Sequence, residues 1–147
     1  MLTIRQTHNP IEALLALPFL ASIDQYYPDI KEWFINTVVP GVCTGNDILL
    51  IASEYDQIAG ILLAKTGEEN KLRCIRVAEK YKNRGLGIKL MDRSLEMIGD
   101  KPLVTVSEEL LHQYARIFVR RYGFSLDDVV KGQYRPQKLE YFFNHTK

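Results

Sequence analysis

Two glycines stand in the segment Lys82-Asn83-Arg84-Gly85-Leu86-Gly87-Ile88, between a strand-like run and an apolar stripe of helical spacing. Backbone N–H groups in such a turn lack carbonyl partners, and the dipole of the following helix adds a partial positive charge. Because glycine lets an anion approach the backbone closely, the segment indicates a site for a phosphate or pyrophosphate group. Taken alone, the glycines also fit an ordinary strand-to-helix turn or a helix cap.

The elements before this turn are predicted from the period of the apolar residues. Alternation over 2–6 indicates a short strand. Helices are predicted over 11–17 and 28–39, and Pro40-Gly41 is expected to end the second one. Continuous apolar runs then predict three strands joined by polar turns into an antiparallel meander, over 48–53, 58–65 and 72–77.

The elements after the turn complete a mixed sheet. Apolar residues at helical spacing predict a helix over 88–98. Because this helix crosses over to a strand at 103–106, that strand is expected to run parallel to 72–77. A last helix over 110–121 precedes strands over 124–134 and 139–143. The whole is an α+β fold with a mixed, mostly antiparallel sheet, one parallel strand pair and about four flanking helices.

The composition limits the class of protein. With 147 residues, 46% of them hydrophobic and 25% charged, the chain is expected to form one domain over 1–147. A net charge of +1 argues against a nucleic-acid partner. Cys43 and Cys74 lack CxxC or Cys/His spacing, so neither a disulfide framework nor a metal site is expected. The sequence has no secretory signal or membrane-spanning run, which predicts a cytoplasmic protein.

The turn and its context resemble the GNAT superfamily of N-acetyltransferases. The signature of that family is Arg or Gln, two residues, Gly, any residue, then Gly or Ala, directly after the fourth strand. Lys82, Gly85 and Gly87 occupy these positions, with lysine in place of the usual first residue. The likeness spans roughly residues 48–143 and implies a GNAT-like fold with acetyl-coenzyme A as donor. It also implies the donor-binding residues, which are Ile75, Val77, Lys82, Asn83, Arg84, Gly85, Leu86, Gly87 and Ile88.

The resemblance further implies direct transfer to an amine, without a covalent enzyme intermediate. The family often has a tyrosine acid four residues before the glycine that follows the last helix, and here that position is Val119. Residues three and seven positions away share its helical face, so Tyr122 and His112 are the candidate acids. Glu108 and Glu109 follow the fifth strand and are the candidate bases. The alternatives are a packed aromatic, a surface histidine and two carboxylates that favour a helix N-terminus.

Four further sets of side chains could take part in binding or catalysis, and the sequence leaves their role open. Tyr114 lies near the candidate acids but off their helical stripe. Arg73 and Arg76 are unusual in a central strand, and Arg76 either pairs with Glu108 or holds an anionic group of the acceptor. Cys74 is predicted to be a packed thiol. An aromatic cluster in the opening helices packs in the core or lines a pocket for an apolar or planar acceptor: Tyr26, Tyr27, Trp33 and Phe34.

The sequence thus predicts an N-acetyltransferase that moves an acetyl group from acetyl-coenzyme A to a primary amine of a small molecule or a protein, without a metal. The amine of an aminoacyl-tRNA is a further acceptor, which the near-neutral charge disfavours. Val119 leaves open the alternative of a non-catalytic acyl-coenzyme A binding or regulatory module. The β-rich segment 140–143 would pair with a second chain, giving a homodimer, if its edge were open.

Overall fold

Seven strands form one sheet in the computed structural model, which describes residues 1–145 apart from the side chain of Ser22. Named β1 to β7 in chain order, they are Leu2–Thr7, Asp47–Glu54, Gln57–Lys65, Lys71–Val77, Leu103–Ser107, Leu126–Lys131 and Leu139–Phe143. The order across the sheet is β1-β2-β3-β4-β5-β7-β6. β4 and β5 run parallel, whereas the other neighbouring pairs run antiparallel. The predicted mixed sheet with one parallel pair is confirmed.

Helices cover both faces of this sheet. Named α1 to α6, they are Pro10–Leu14, Leu17–Leu20, Ile30–Trp33, Val39–Thr44, Leu86–Ile98 and Leu111–Arg116. Wide π-helical segments join α3 to α4 and extend α6, at Phe34–Val38 and Ile117–Arg121. The helices α1 to α4 pack on one face, and α5 and α6 pack on the other. No helix within residues 1–145 is long and apolar enough to cross a bilayer.

The continuous apolar run of β2 serves two hydrophobic cores. Ile48 and Leu50 pack with Leu90 of α5, whereas Leu49 and Ile51 point to the opposite face and join the core of α1 to α4. Successive side chains of a strand alternate between faces, so a strand covered by helices on both sides reads as an unbroken apolar run.

β4 and β5 separate soon after they begin. Their parallel pairing covers the first two residues of each strand, after which β4 stays paired with β3 and β5 with β7. Arg73 is an extra residue of β4, because Leu72 pairs with Ala64 and Cys74 with Leu63. Such a bulge increases the local twist of a strand and re-aims its side chains. The two strands therefore leave an opening in the middle of the sheet, and the bulge residue Arg73 borders it.

The helix predicted to end at Pro40-Gly41 continues through both residues. It ends at Thr44, followed by Gly45 in the left-handed region with φ 90°. Pro40 follows directly on the wide π-helical segment, where the regular α-helical hydrogen-bond ladder is already interrupted. A Cβ on Gly41 would stand 1.8 Å from Asp47 Oδ2. Glycine at position 41 therefore leaves room for the Asp47 carboxylate, and the expectation of a stop signal is wrong.

The closing strands differ from the sequence expectation in two ways. The strand predicted over 124–134 is the shorter β6, Leu126–Lys131. β7 lies between β5 and β6, so both of its edges are paired within the chain. The condition for pairing of 140–143 with a second chain, an open strand edge, is therefore not met.

Candidate active site

The glycine turn presents backbone donors at the start of α5. Gly85 and Asn83 have φ values of 77° and 65°, in the left-handed region. No side chain caps α5, and the first bond of the helix runs from Lys89 N–H to Gly85 O at 3.1 Å. Three N–H groups precede that bond and lack helical acceptors, those of Leu86, Gly87 and Ile88. The dipole of a 13-residue helix adds partial positive charge to them.

Space in front of these donors is open. A Cβ built on Gly85 or Gly87 has no atom within 4 Å, so packing inside the protein does not explain the absence of a side chain at position 87. Lys82 stands beside the turn, paired with Glu79 at 2.9 Å, and the exposed Arg84 lies 5.8 Å from the ring centroid of Tyr81. Free donors, two cations and open space fit a diphosphate group.

The opening between β4 and β5 is a cavity of about 60 Å³, here called the splay cavity. Most of its wall is apolar and comes from β4, β5 and the start of α6, and Ile75 is part of that wall. Val77 is not among its lining residues in the described part of the chain. The groups that bring polar atoms to it are Tyr27, Arg73, Cys74, Arg76, Thr105 and Tyr114.

Cys74 is a poor nucleophile at this position. Burial raises the pKa of its thiol to about 12, and the opposing effect of Arg76 is smaller. The thiol therefore stays protonated near neutral pH, whereas nucleophilic cysteines react as thiolates. Its environment favours the prediction of a packed thiol.

Tyr114 of α6 lines the splay cavity from the side of α5 and α6. Its ring stacks on Phe118, with centroids 5.5 Å apart and planes 19° apart. Burial raises the pKa of the Tyr114 hydroxyl, and a hydrogen bond with Arg76 opposes that rise. A tyrosine with a raised pKa is protonated at neutral pH, so Tyr114 can donate a proton inside the cavity.

A second, larger cavity lies under the opening helices and has a volume of about 350 Å³. We call it the helix-side cavity. It shares five lining residues with the splay cavity, so the two spaces lie next to each other and these residues stand between them. The shared residues are Ile23, Tyr27, Arg73, Cys74 and Thr105.

A buried carboxylate stands behind the wall that the two cavities share. The Tyr27 hydroxyl donates to Glu140 Oε2 at 2.9 Å, and Glu140 of β7 is only 4% exposed. Burial raises the pKa of Glu140, while hydrogen bonds from Tyr27 and Thr105 act in the opposite direction. Tyr27 also packs edge-on against Tyr134, with ring centroids 5.3 Å apart. Glu140 is thus a proton acceptor of increased basicity that contacts the cavities through two hydroxyl groups.

The residues predicted as acids and bases lie outside the lining of both cavities, as far as residues 1–145 describe it. Tyr122 donates to Asp92 Oδ1 of α5 at 2.7 Å, and this contact together with burial raises its pKa to about 12. His112 is exposed on α6. Glu108 Oε1 accepts from the N–H of Leu139 at 2.7 Å. The catalytic roles of Glu108, His112 and Tyr122 stay predictions.

The helical-face argument missed Tyr114 because the last helix is not a regular α-helix. The π-helical segment Ile117–Arg121, which contains Val119, has more residues in a turn than an α-helix, so Val119 and Tyr114 are not related by regular helical spacing. Val119 is consequently 47% exposed. Regular helical spacing counted from Val119 therefore selects residues that do not line the cavity. No local signal in the sequence reveals the wide turn.

No group of three or more His, Cys, Asp or Glu side chains within residues 1–145 is placed to hold a metal ion. The polar groups around the splay are hydroxyl, guanidinium and single carboxylate groups, which suit proton transfer and anion binding.

Comparisons with known proteins agree with this arrangement. Residues 30–133 match the model of the acetyltransferase (GNAT) domain family. Two GNAT-family acetyltransferases have a similar fold, one from Desulfovibrio desulfuricans (TM-score 0.75) and one from Streptococcus pneumoniae (TM-score 0.69). Each is 22% identical to this chain, over 97% of both chains. An aminoglycoside 6'-N-acetyltransferase solved with coenzyme A has a TM-score of 0.65 at 11% identity, covering 100% of this chain and 98% of that one.

No curated protein matches the sequence. The likeness to solved structures is one of fold, whereas the family match covers more than two thirds of the chain. The β4–β5 opening and the glycine turn occupy the matched segment. The chain belongs to the GNAT acetyltransferase family.

Proposed function

We propose that the protein is an N-acetyltransferase that uses acetyl-coenzyme A to acetylate the primary amine of a small molecule or a protein. The observation that carries this proposal is that the splay cavity and the helix-side cavity lie side by side, with five lining residues in common. β4 borders the splay cavity and ends just before the glycine turn. A donor held at the turn and an acceptor under the opening helices would meet in the splay.

The residues of the turn would hold the donor. The N–H groups of Leu86, Gly87 and Ile88 would bind the diphosphate, with Lys82 and Arg84 adding positive charge. Ile75 would contact the thioester end in the narrow, mostly apolar splay cavity. Acetyl-coenzyme A supplies an activated acetyl group when bound. The protein's own contribution is to fix its position and to move two protons.

Tyr114 is the group that we propose as the acid. Tyr114 lines the splay cavity, and its hydroxyl keeps its proton at neutral pH because burial raises its pKa. Arg76 hydrogen-bonds to the same oxygen and would stabilise negative charge that develops there. Tyr114 would provide the acid that the valine at position 119 cannot provide. The valine is then a weaker argument for a non-catalytic module.

Tyr27 and Glu140 are the groups that we propose for removing the proton of the amine. Tyr27 lines both cavities, and its hydroxyl would accept a proton while passing its own to Glu140. The raised pKa of Glu140 brings its basicity closer to neutral pH, where a general base is most effective. We favour this pair over Glu108, whose Oε1 accepts a backbone hydrogen bond from β7.

The proposal is tested by release of the coenzyme A thiol in the presence of acetyl-coenzyme A and a panel of amines, with the acetylated product identified by mass spectrometry. We expect saturable turnover on at least one amine and a much lower rate in Tyr114→Phe. Tyr55→Phe is the matched control, because Tyr55 is 89% exposed in the turn after β2. Tight coenzyme A binding without turnover on any amine would favour the non-catalytic module.

A further inference from the structure

The helix-side cavity carries a cation whose hydrogen bonds are incomplete. Arg73, the extra residue of the β4 bulge, lies with its guanidinium 4.9 Å from the ring centroid of Trp33. Its Nε is buried and has no hydrogen-bond partner within residues 1–145. The carboxylate paired with it, Asp47, stands 3.8 Å away, which is too long for a hydrogen bond, and Asp47 Oδ1 is itself without a partner.

An arginine held in this way is prepared to bind a planar anion. The guanidinium is within cation–π distance of Trp33, and the long distance to Asp47 leaves this ion pair without a direct hydrogen bond. The planar fork of a guanidinium matches the two oxygens of a carboxylate better than a lysine does. Lys71 also lines the cavity and adds a second positive charge, against the single carboxylate of Asp29.

The rest of the cavity wall is apolar and aromatic. Tyr27, Trp33 and Tyr134 line it together with Leu20 and Ile30. Tyr27 and Trp33 are the members of the predicted aromatic cluster that line the cavity. In contrast, Phe34 is fully buried in the core. An apolar or aromatic group of a ligand would lie against this wall.

Arg73 fixes the distance between the anion and the site of transfer. It lines both cavities, and so does its neighbour Cys74. A carboxylate bound to Arg73 would therefore lie beside the splay, so the amine of the same molecule must be close to that carboxylate in order to enter it. An amino acid has this geometry, with the amine and the carboxylate on one carbon. A peptide N-terminus lacks the carboxylate at that place.

We propose that the helix-side cavity binds a free amino acid with an apolar or aromatic side chain, its carboxylate on Arg73 and its amine directed into the splay cavity. This inference rests on the proposed N-acetyltransferase function and names its acceptor class. Tyr27 and Glu140 take the proton that the amine loses as its nitrogen bonds to the acetyl carbon. Tyr114 protonates the sulfur as the carbon–sulfur bond breaks, which gives an N-acetylamino acid and free coenzyme A.

The test compares L-phenylalanine with L-phenylalaninamide, which keeps the amine and the ring but has no negative charge. Binding of each is measured by calorimetry in the presence of coenzyme A, and kcat/KM is measured with acetyl-coenzyme A. Loss of a charge-assisted, two-pronged hydrogen bond corresponds to about 10- to 100-fold in affinity. We expect the wild type to prefer the amino acid by that factor and Arg73→Met to bring the ratio near one.

Arg73→Lys keeps the charge without the planar fork, so it should retain only part of the preference. Lys131→Met is the matched control, because Lys131 is exposed on β6 and should leave the ratio unchanged. Coenzyme A binding and thermal melting of each variant report whether it folds. If Arg73→Met does not fold, the wild-type ratio and Arg73→Lys still decide the matter.

The inference is overturned if the wild type binds neither probe, if it does not prefer the amino acid, or if the preference persists in Arg73→Met. Failure of the proposed function gives a different result. In that case the amino acid binds in an Arg73-dependent way, but no acetylated product forms with any amine.

Discussion

Replacing Gly87 with aspartate should stabilise the free protein and remove its affinity for coenzyme A. The added Cβ meets no atom within 4 Å, and the position is not in the left-handed region. The first turn of α5 contains no acidic residue and no side-chain cap. A carboxylate there should therefore gain about 1 kcal/mol from the free N–H groups, the helix dipole and the loss of a helical glycine. For a chain of this length that corresponds to roughly 3 °C in Tm.

The same carboxylate would face the bound diphosphate. A unit charge about 6 Å from another costs about 3 kcal/mol at an effective dielectric constant of about 20, which is roughly a 100-fold loss of affinity. Thermal melting and calorimetry with and without coenzyme A measure both effects. Gly87→Asn has nearly the same shape without the charge and should retain most of the binding. Wild-type affinity in Gly87→Asp would refute the placement of the diphosphate. A lower Tm without ligand would refute the statement that the first N–H groups of α5 are free and that position 87 has room for a side chain.

Three further predictions concern proton transfer and stability. Tyr114→Phe should lower kcat by roughly 100-fold with unchanged coenzyme A affinity, and an unchanged kcat in the thiol-release assay would exclude it as the acid. Glu140→Gln should lower kcat/KM and remove the rise of kcat/KM with pH that lies above the usual carboxyl pKa of 4.5. An identical pH profile in the variant would exclude Glu140 as the base. Arg135 donates to Glu109 at 2.6 and 2.8 Å and lowers the pKa of that carboxyl from 4.5 to about 2. Its contribution to stability is therefore present above pH 4.5 and lost as the pH falls towards 2. Urea unfolding should show that Glu109→Gln costs about 1 kcal/mol at pH 7 and little at pH 2, whereas an equal cost at both pH values would contradict the pairing.

The glycine turn at the start of α5 was predictable from the sequence because its signals are local. Strand, glycine and helix signals follow each other within a few residues, and backbone donors at a helix start need no distant partner. The parallel strand pair was predictable for a similar reason, because a helical crossover between two strands leaves little choice of direction.

The proposed acceptor site depends on contacts that a sequence pattern does not contain. Tyr27 and Glu140 are 113 residues apart in the chain. Arg73 reaches Trp33 because of a bulge that residue types alone do not reveal. Tyr114 was passed over because a π-helical segment changes the phase of the last helix. The locations of these side chains are set by long-range packing and by local irregularities of the backbone.

The most direct measurement of the central claim is a crystal structure of the protein with acetyl-coenzyme A. The diphosphate oxygens should lie within hydrogen-bond distance of the N–H groups of Leu86, Gly87 and Ile88. The thioester should lie in the splay cavity, within reach of the Tyr114 hydroxyl. A donor bound outside the β4–β5 opening, or a diphosphate held away from the start of α5, would contradict the account.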